Sequence, residues 1–269
     1  MASTIARFTS TCVLLAQKST VGPTGPAYKP GEGGYADWVI VALHGLKEHL
    51  GHPYRQLMDI LSEMGNVVRR LGLTVKTLPH YSTVCNAKQQ LYMPDWRRFL
   101  ALTSDLHDLG DVQAIDASGF DRVAASRKYA QRTNYTFQAM KTTLLVDCDS
   151  GAILDVHCST NRPHDTKVGR QVLKRNLDQC SIITADKGYD ADDRRRFLQA
   201  HDVEPVIKHR EFTPLDRAHN ALQDEDIYHQ RTASETGFRV LKQRFGDRLW
   251  ARTWYGQFRE LVMKSAVKN

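Results

Sequence analysis

Apolar residues recur every three or four positions in the first third of the chain, and this is the spacing of one helix face. The stripe nearest the N-terminus consists of Ile5, Phe8, Cys12 and Leu15. Glycine and proline then dominate positions 20–34, where a linker is expected. The helical pattern resumes at Asp37 and continues to about Gly110. The chain is therefore predicted to begin with a helix and linker over residues 1–34, followed by a mainly helical domain over 35–110.

Within residues 35–110, two short helices, a turn and a further helix have the layout of a DNA-binding helix-turn-helix. Ser82 is placed to cap the further helix, which is predicted to run to about Tyr92. That helix carries Asn86, Lys88, Gln89 and Gln90. Side chains of these types can read base edges. A plain helical bundle with a solvated face is the alternative, and the pattern leaves both open.

After Gly110 the pattern changes to short apolar runs that are typical of strands. Strands are predicted at Val112–Asp116, Phe137–Val146, Ala152–Val156, Ser181–Ala185 and Val203–Ile207, with helices at 165–177 and 190–200. A polar stretch over 209–226 then precedes a helical region that starts near Ile227. Strands followed by alternating helices and strands indicate an α/β domain with a mixed sheet, over residues 111–269.

Charge and cysteine content narrow the class of protein. The 269-residue chain has 37 Lys and Arg against 30 Asp and Glu, and the net charge of +7 favours a polyanionic partner. Its five cysteines form no C-x-x-C pair, so neither a secreted disulfide framework nor a closed zinc site is expected. The sequence has no run of about 18 apolar residues. A cytoplasmic protein, associated with the nucleoid and not with a membrane, is predicted.

Three acidic residues carry the candidate chemistry. Asp116 is predicted to end the first strand of the α/β domain and Asp186 a later one, at the sheet edge where sites usually form. Glu235 lies in the last helical region. If they converge, the three carboxylates can hold two divalent cations and support phosphoryl transfer, because Mg²⁺ takes oxygen ligands. Taken singly, such an acid is more often a turn former or a solvated group.

The residues around Glu235 make this interpretation more specific. Tyr228, Arg231, Glu235 and Lys242 share one broad face of a helix. An acid with an Arg one turn before it and a Lys two turns after it suits a metal ligand flanked by phosphate-binding cations. The alternative is an ordinary exposed helix with an ion pair between Arg231 and Glu235.

Three motifs occur in a fixed order: Asp116-Ala117-Ser118-Gly119, Asp186-Lys187-Gly188-Tyr189 and Tyr228…Arg231…Glu235…Lys242. Together they resemble the DDE transposases of bacterial and archaeal insertion sequences, within the four/five superfamily and its fifth family. The resemblance spans about residues 110–245. It implies a ribonuclease-H-like catalytic core, two Mg²⁺ or Mn²⁺ ions, and cutting and joining of DNA at the element's terminal inverted repeats and at a target site.

The resemblance also implies roles for the site residues. Asp116 and Asp186 would hold one metal ion, and Asp116 and Glu235 would hold the other. Arg231 and Lys242 would bind phosphates near the scissile bond.

The remaining expectations concern two further side chains and the assembly. Tyr228 is expected to pack or to stack on a base, and Lys187 to touch phosphate or point to solvent. The resemblance also implies a homodimer in the active complex, because such enzymes must hold two DNA ends together. A non-transposing nuclease of the same fold and a catalytically idle DNA-binding relic or repressor are the alternatives. The chain ends at Asn269 within a helical pattern that family members commonly continue, so a slightly shortened, non-mobile copy is also considered.

Overall fold

The computed structural model describes residues 3–26, 34–122, 139–159 and 165–269. The chain forms two compact units, Met1–Thr103 and Ser104–Asn269. Residues 27–33 of the predicted linker lie outside the described residues, and so do the first two residues of the strand predicted from Phe137.

Helices make up most of the first unit. They are α1 (Thr4–Ser19), α2 (Asp37–Leu50), α3 (Tyr54–Glu63), α4 (Gly65–Arg70), α5 (Tyr81–Gln90) and α6 (Met93–Ser104), with a 3₁₀ turn at Val75–Thr77. Helix α2 is the centre of this unit, since its residues 38–46 are all buried and, apart from His44, apolar or glycine. A helix that is hydrophobic on every face is stable only when it is covered on every face.

Helix α5 is the predicted DNA-reading helix. It begins at Tyr81, with His80 in the N-cap position and no side-chain capping bond. The prediction that Ser82 caps this helix is therefore wrong. The Ser82 hydroxyl is instead hydrogen-bonded to Nδ1 of His80 at 2.7 Å. Asn86, Gln89 and Gln90 are exposed on this helix. Lys88 is partly buried, with Nζ 5.9 Å from the centre of the Tyr54 ring.

The second unit is built on a mixed sheet. Its strands are β1 (Val112–Arg122), β2 (Met140–Asp147), β3 (Ile153–Ser159), β4 (Ile182–Ala185), β5 (Glu204–Ile207) and β6 (Arg248–Leu249). The sheet order is β3-β2-β1-β4-β5, with β6 pairing the end of β1. Strand β2 runs antiparallel to both neighbours, whereas β4 and β5 run parallel to β1. This order and these directions are those of a ribonuclease-H-like core, so the predicted fold class is confirmed.

Helices cover this sheet and connect its strands. They are α7 (Asp165–Arg175), α8 (Asp192–Gln199), α9 (Pro214–Ala221), α10 (Glu225–His229), α11 (Thr232–Phe245) and α12 (Trp254–Lys268), with 3₁₀ turns at Leu177–Gln179 and Lys187–Tyr189. Helix α11 packs on β1 and β2, and α12 packs on β3. The polar stretch over 209–226 contains α9, which begins at a capping box formed by Thr213 and Asp216.

Strand β1 is longer than predicted. Instead of ending at Asp116 it continues to Arg122, because β2 pairs with it as far as Phe120 opposite Met140. Only the parallel pairing with β4 stops early, and its last pair is Ile115 opposite Ala185. Asp116 therefore lies within β1, at the point where the neighbouring strand ends.

Candidate active site

The three predicted acids lie at one place in the second unit. Asp116 and Asp186 are each the next residue after the last pair between β1 and β4. Glu235 comes to the same place on α11, which crosses β1 and β2. The three acids line a recess of about 30 Å³ together with Ile115, Arg231 and Ser234. A recess of this size has room for a water-sized occupant.

Small residues let α11 approach the sheet closely. Its buried side consists of Ser234, Gly237, Phe238 and Leu241. A Cβ atom added at Gly237 would lie 3.2 Å from Cγ2 of Val146 on β2, which is tighter than an ordinary van der Waals contact. The absence of a side chain at Gly237 thus sets how near the helix, and with it Glu235, lies to the sheet.

Each acid has a different environment. Asp116 is partly buried within β1, and Asp186 accepts a hydrogen bond from the backbone N–H of Gly188 at 2.9 Å. The carboxylate of Glu235 is paired with Arg231, with 2.7 Å between Oε1 and Nη1.

The donor set of the recess suits a hard divalent cation, since it consists of carboxylate oxygens. In the part of the chain that the structure describes, no three His, Cys, Asp or Glu side chains lie close enough to form a metal-binding group. The pairing with Arg231 accounts for this in part, because it directs the Glu235 carboxylate to a guanidinium. The three carboxylates are chemically suited to a metal ion, and one of them, that of Glu235, is paired with Arg231.

Lys242, on α11, contacts the strand that carries Asp116. Its ammonium group donates a hydrogen bond to Oγ of Ser118 at 2.9 Å and lies 5.3 Å from the centre of the Phe120 ring. Ser118 is two residues after Asp116, so both side chains point to the same face of β1. Ser118 was not predicted as a candidate site residue, although its spacing from Asp116 was a usable signal.

Lys187 lies at the exposed edge of the site. Its ammonium group pairs with Oε1 of Glu211 at 2.6 Å, and this hydrogen bond raises the pKa of Lys187 and lowers the pKa of Glu211. The guanidinium of Arg210 donates through Nε to the backbone carbonyl of Lys187 at 3.0 Å. The segment that follows β5 is thereby attached to the loop that carries Asp186.

Tyr228 is packed between two cations. Its ring centre lies 4.5 Å from Nζ of Lys208 and 5.5 Å from the guanidinium carbon of Arg231. Because the residue is only 9% exposed, its ring supports Arg231 rather than presenting a free face to solvent. Its backbone carbonyl accepts a hydrogen bond from Thr184 on β4 at 3.4 Å.

Burial makes three of the five cysteines poor nucleophiles. All five are free thiols. Burial raises the pKa of Cys12, Cys148 and Cys180 to about 12, and a thiol with such a pKa is almost entirely protonated at neutral pH. Separately, none of the helices in the described ranges is long and apolar enough to cross a membrane.

Comparison with known proteins gives one family match and two likenesses in structure. A family model described as "Transposase DDE domain" matches residues 108–269, which is more than half of the chain. None of the curated proteins matches the chain. A cryo-EM structure of the piggyBac transposase synaptic complex with hairpin DNA is similar with a TM-score of 0.49 and 11% identity, over 97% of this chain and 69% of that one. A cryo-EM structure of the simian T-cell lymphotropic virus intasome with the PP2A regulatory subunit B56 gamma is similar with a TM-score of 0.27 and 11% identity, over 64% and 60%.

Proposed function

Since this chain belongs to the transposase DDE domain family, we propose that it cuts and joins the ends of an insertion sequence by metal-dependent phosphoryl transfer. The observation that carries the proposal is the recess in which Asp116, Asp186 and Glu235 meet beside Arg231. Three carboxylates at the end of a parallel strand pair, with a guanidinium among them, suit a phosphodiester substrate and a hard cation. The substrate would be DNA at the element's terminal inverted repeats and at the target.

The acids and cations have separate tasks in this proposal. Asp116 would hold two divalent ions, one together with Asp186 and the other together with Glu235. Bound Mg²⁺ or Mn²⁺ supplies activation of a water or 3′-hydroxyl and stabilisation of the leaving oxygen. Arg231 and Lys242 bind phosphate oxygens near the scissile bond, and fixed cations of this kind stabilise the charge that develops there.

Arg231 has a further task before DNA arrives. It neutralises Glu235 in the protein alone, where the two side chains are 2.7 Å apart. A DNA phosphate that reaches the guanidinium offers it a second anionic partner, and Glu235 is then available as a ligand. Tyr228 supports Arg231 through both states, since its ring packs against the guanidinium. Lys187 contacts the DNA backbone from the exposed edge of the site.

The first unit is proposed to bind the element ends. Helix α5 exposes Asn86, Gln89 and Gln90 in adjacent turns, and amide side chains can pair with base edges in a major groove. Lys88 lies beside them with its ammonium group over the Tyr54 ring. The two active sites of a homodimer would then act on two ends held in one complex.

The experiment compares Glu235→Gln with the parent protein on labelled duplexes taken from the two ends of the genetic element that encodes the chain. The substitution preserves shape and removes a ligand charge, so Mg²⁺- and Mn²⁺-dependent cleavage should be lost. DNA binding should be unchanged or tighter, because one negative charge near the phosphates is gone.

Glu225→Gln is the matched control. Glu225 is an exposed acid ten residues earlier, pairs with Lys208 at 2.5 Å, and does not line the recess. Its variant should cleave at close to the parent rate. If Glu235→Gln cuts like the parent while Glu225→Gln does not, the assignment of the third acid is wrong.

A binding measurement distinguishes the proposed transposase from a nuclease of the same fold that does not transpose. The proposed transposase should bind duplexes with element ends more tightly than unrelated duplexes of equal length at the same salt concentration. Equal affinity for both, with cleavage retained, would favour the nuclease.

A further inference from the structure

One peptide group links Arg210 to the carboxylate of Asp186. This group is the amide between Lys187 and Gly188, in the 3₁₀ turn that follows Asp186. Its N–H, which belongs to Gly188, donates to Oδ1 of Asp186 at 2.9 Å. Its carbonyl, which belongs to Lys187, accepts from Nε of Arg210 at 3.0 Å. A guanidinium, a peptide group and a carboxylate therefore form one continuous chain of hydrogen bonds.

The order of these groups makes each bond strengthen the next. A cation at the carbonyl oxygen draws electron density toward that oxygen, so the N–H at the other end of the same peptide group becomes a stronger donor. Hydrogen bonds in series polarise one another in this way. The donor at the start of the chain is a guanidinium, and bonds from a charged donor are stronger than bonds between neutral groups. Arg210 thus acts on Asp186 through the peptide group.

Gly188 allows the carboxylate to lie this close to the turn. A Cβ atom added at Gly188 would lie 2.8 Å from Oδ1 of Asp186, a distance that real Cβ contacts essentially never show. Glycine also has more backbone freedom than other residues, so a peptide group beside it keeps one orientation only if other contacts hold it. Arg210 supplies two such contacts, because its Nη2 also donates to the carbonyl of Gly188 at 3.4 Å.

The backbone of Arg210 is itself attached to the end of the turn. Its N–H donates to Oδ2 of Asp190 at 2.8 Å. The other oxygen of Asp190 accepts from Nη2 of Arg195 at 2.8 Å and lies 3.3 Å from Nδ1 of His209. The N–H of Asp190 also bonds to the carbonyl of Lys187, at 3.3 Å, which is compatible with the bond from Arg210 because a carbonyl oxygen has two lone pairs. Arg210 therefore approaches the peptide group from a fixed position.

We propose that Arg210 is a positioning residue for Asp186, and this inference rests on the proposed function, in which Asp186 is a metal ligand. The bond from Gly188 fixes the orientation of the carboxylate at the recess that it lines with Asp116. Groups that bind to the ligands of a metal ion orient those ligands, and their loss typically lowers metal affinity or activity by about 10–100-fold. Arg210 has this role one peptide group further from the cation.

Two simpler roles for Arg210 predict different results. An exposed arginine near the active site could bind a DNA phosphate, and its loss would then weaken DNA binding. An arginine that only anchors the loop would be equivalent to the other attachment between the same two segments, which is the pair of Lys187 and Glu211 at 2.6 Å.

The test compares Arg210→Ala with two control variants of the full-length protein. Arg217→Ala removes the same charge from an exposed position on α9, and no hydrogen bond joins Arg217 to the turn in the described part of the chain. Glu211→Gln weakens the pair with Lys187 and leaves the bonds of Arg210 in place.

The first measurement is cleavage of an element-end duplex over a titration with Mn²⁺. Arg210→Ala should raise the Mn²⁺ concentration at half-maximal rate by about 10–100-fold, and saturating Mn²⁺ should restore most of the rate. Its affinity for the duplex should equal that of Arg217→Ala, since both lack one cation. Both controls should keep the Mn²⁺ dependence of the parent. Arg210→Lys retains the charge and one donor, so it should lie between Arg210→Ala and the parent, and it carries the test if Arg210→Ala does not fold.

The second measurement is independent of activity. Binding of Mn²⁺ to the protein without DNA is followed by electron paramagnetic resonance of the free ion. Arg210→Ala should bind Mn²⁺ more weakly than the parent, by about 10–100-fold, and Arg217→Ala should bind it like the parent.

Two results would overturn the proposal. One is a Mn²⁺ dependence of Arg210→Ala that equals the parent's, and weaker duplex binding than in Arg217→Ala would then make Arg210 a DNA contact. The other is an equal shift in Glu211→Gln, which would make Arg210 one of two loop anchors. If the parent cleaves no element end, the proposed function fails, and the binding of Mn²⁺ without DNA decides the inference. Weaker binding by Arg210→Ala than by the parent would support it, whereas equal binding, or none by the parent, would count against it.

Discussion

Gly237→Ala is expected to disturb the active site through packing alone. Gly237 faces β2 from the helix that carries Glu235, and its new methyl group would lie 3.2 Å from Cγ2 of Val146. Two effects of opposite sign compete. Alanine in a helix interior is favoured over glycine by about 0.8–1.0 kcal/mol. Extra volume in a well-packed core costs about 1–3 kcal/mol.

The surroundings of Val146 decide which effect is larger. Val146 is fully buried and β-branched, so its side chain has little freedom to turn away. It also lies at the point where the β2–β3 register shifts, so the strand is irregular on its other edge. We expect α11 to move outward by a few tenths of an ångström and the free energy of unfolding to fall by about 0–2 kcal/mol.

The movement should be visible in catalysis. If a misplacement of about 1 Å costs about 100-fold in rate, a shift of about 0.3 Å costs about fourfold on the same logarithmic scale. The measurements are urea unfolding and the cleavage rate on an element-end duplex. Gly65→Ala is the control, because a Cβ atom there meets nothing within 4 Å. It should keep the cleavage rate, with stability unchanged or higher by up to about 1 kcal/mol.

A double variant tests the cause. Val146→Ala removes the methyl group that Gly237→Ala meets, and the two changes should couple by about 0.5–3 kcal/mol. If Gly237→Ala is about 1 kcal/mol more stable than the parent and cleaves at the parent rate, the close approach of α11 to β2 does not position Glu235, and the reasoning is refuted.

Four other results are expected. Arg231→Ala should lower the cleavage rate about 10²–10³-fold, as for loss of one electrostatic stabiliser, and a rate within about threefold of the parent would exclude a phosphate contact. Lys242→Ala should act like Arg231→Ala, while Ser118→Ala, which removes only the 2.9 Å hydrogen bond that positions Lys242, should have a smaller effect on the rate in the same assay. Lys88→Ala should reduce the slope of log affinity against log salt by roughly 0.9, because one phosphate is no longer neutralised, and an unchanged slope in a salt titration would place DNA recognition elsewhere. Hydrogen bonds from Thr213 and Phe212 lower the pKa of Asp216, so these bonds stabilise the start of α9 fully above the ordinary Asp pKa of 3.8, and this stabilisation is lost as the pH falls through the lowered pKa. Hydrogen exchange of the Phe212 amide should therefore become faster in the parent in that acidic range. In Asp216→Asn the same amide should exchange fast at every pH.

The local sequence determined much of the second unit. Apolar runs indicated all five main strands of the sheet, because a buried strand must present apolar side chains to the helices that pack on the sheet. The motifs around Asp116, Asp186 and Glu235 indicated the family, and the match to the DDE domain over residues 108–269 confirms that interpretation. These signals are local in the chain, so they could be recognised without knowledge of the packing.

Pairing between distant residues was decided only by the tertiary structure. Asp116 was predicted to end a strand, but β1 continues past it because β2 supplies hydrogen-bond partners as far as Phe120. The bond between Lys242 and Ser118 joins residues 124 positions apart, and no helical or strand period reports such a contact. Register and helix placement fix these pairs, and both depend on the whole sheet.

The orientation of α9 shows the same division most clearly. Its sequence has a capping box and apolar residues at helical spacing, Leu215, Ala218 and Leu222, and an apolar side of that kind ordinarily faces the core. The fold reverses this and leaves Leu215 and Leu222 exposed, because Asn220 and Gln223 find backbone partners at His209 and Ile207, at the end of β5. Buried polar groups need such partners, and where they find them is set by the packing of the whole unit. The sequence of α9 determined that two unlike sides exist, and the tertiary structure decided which of them faces water.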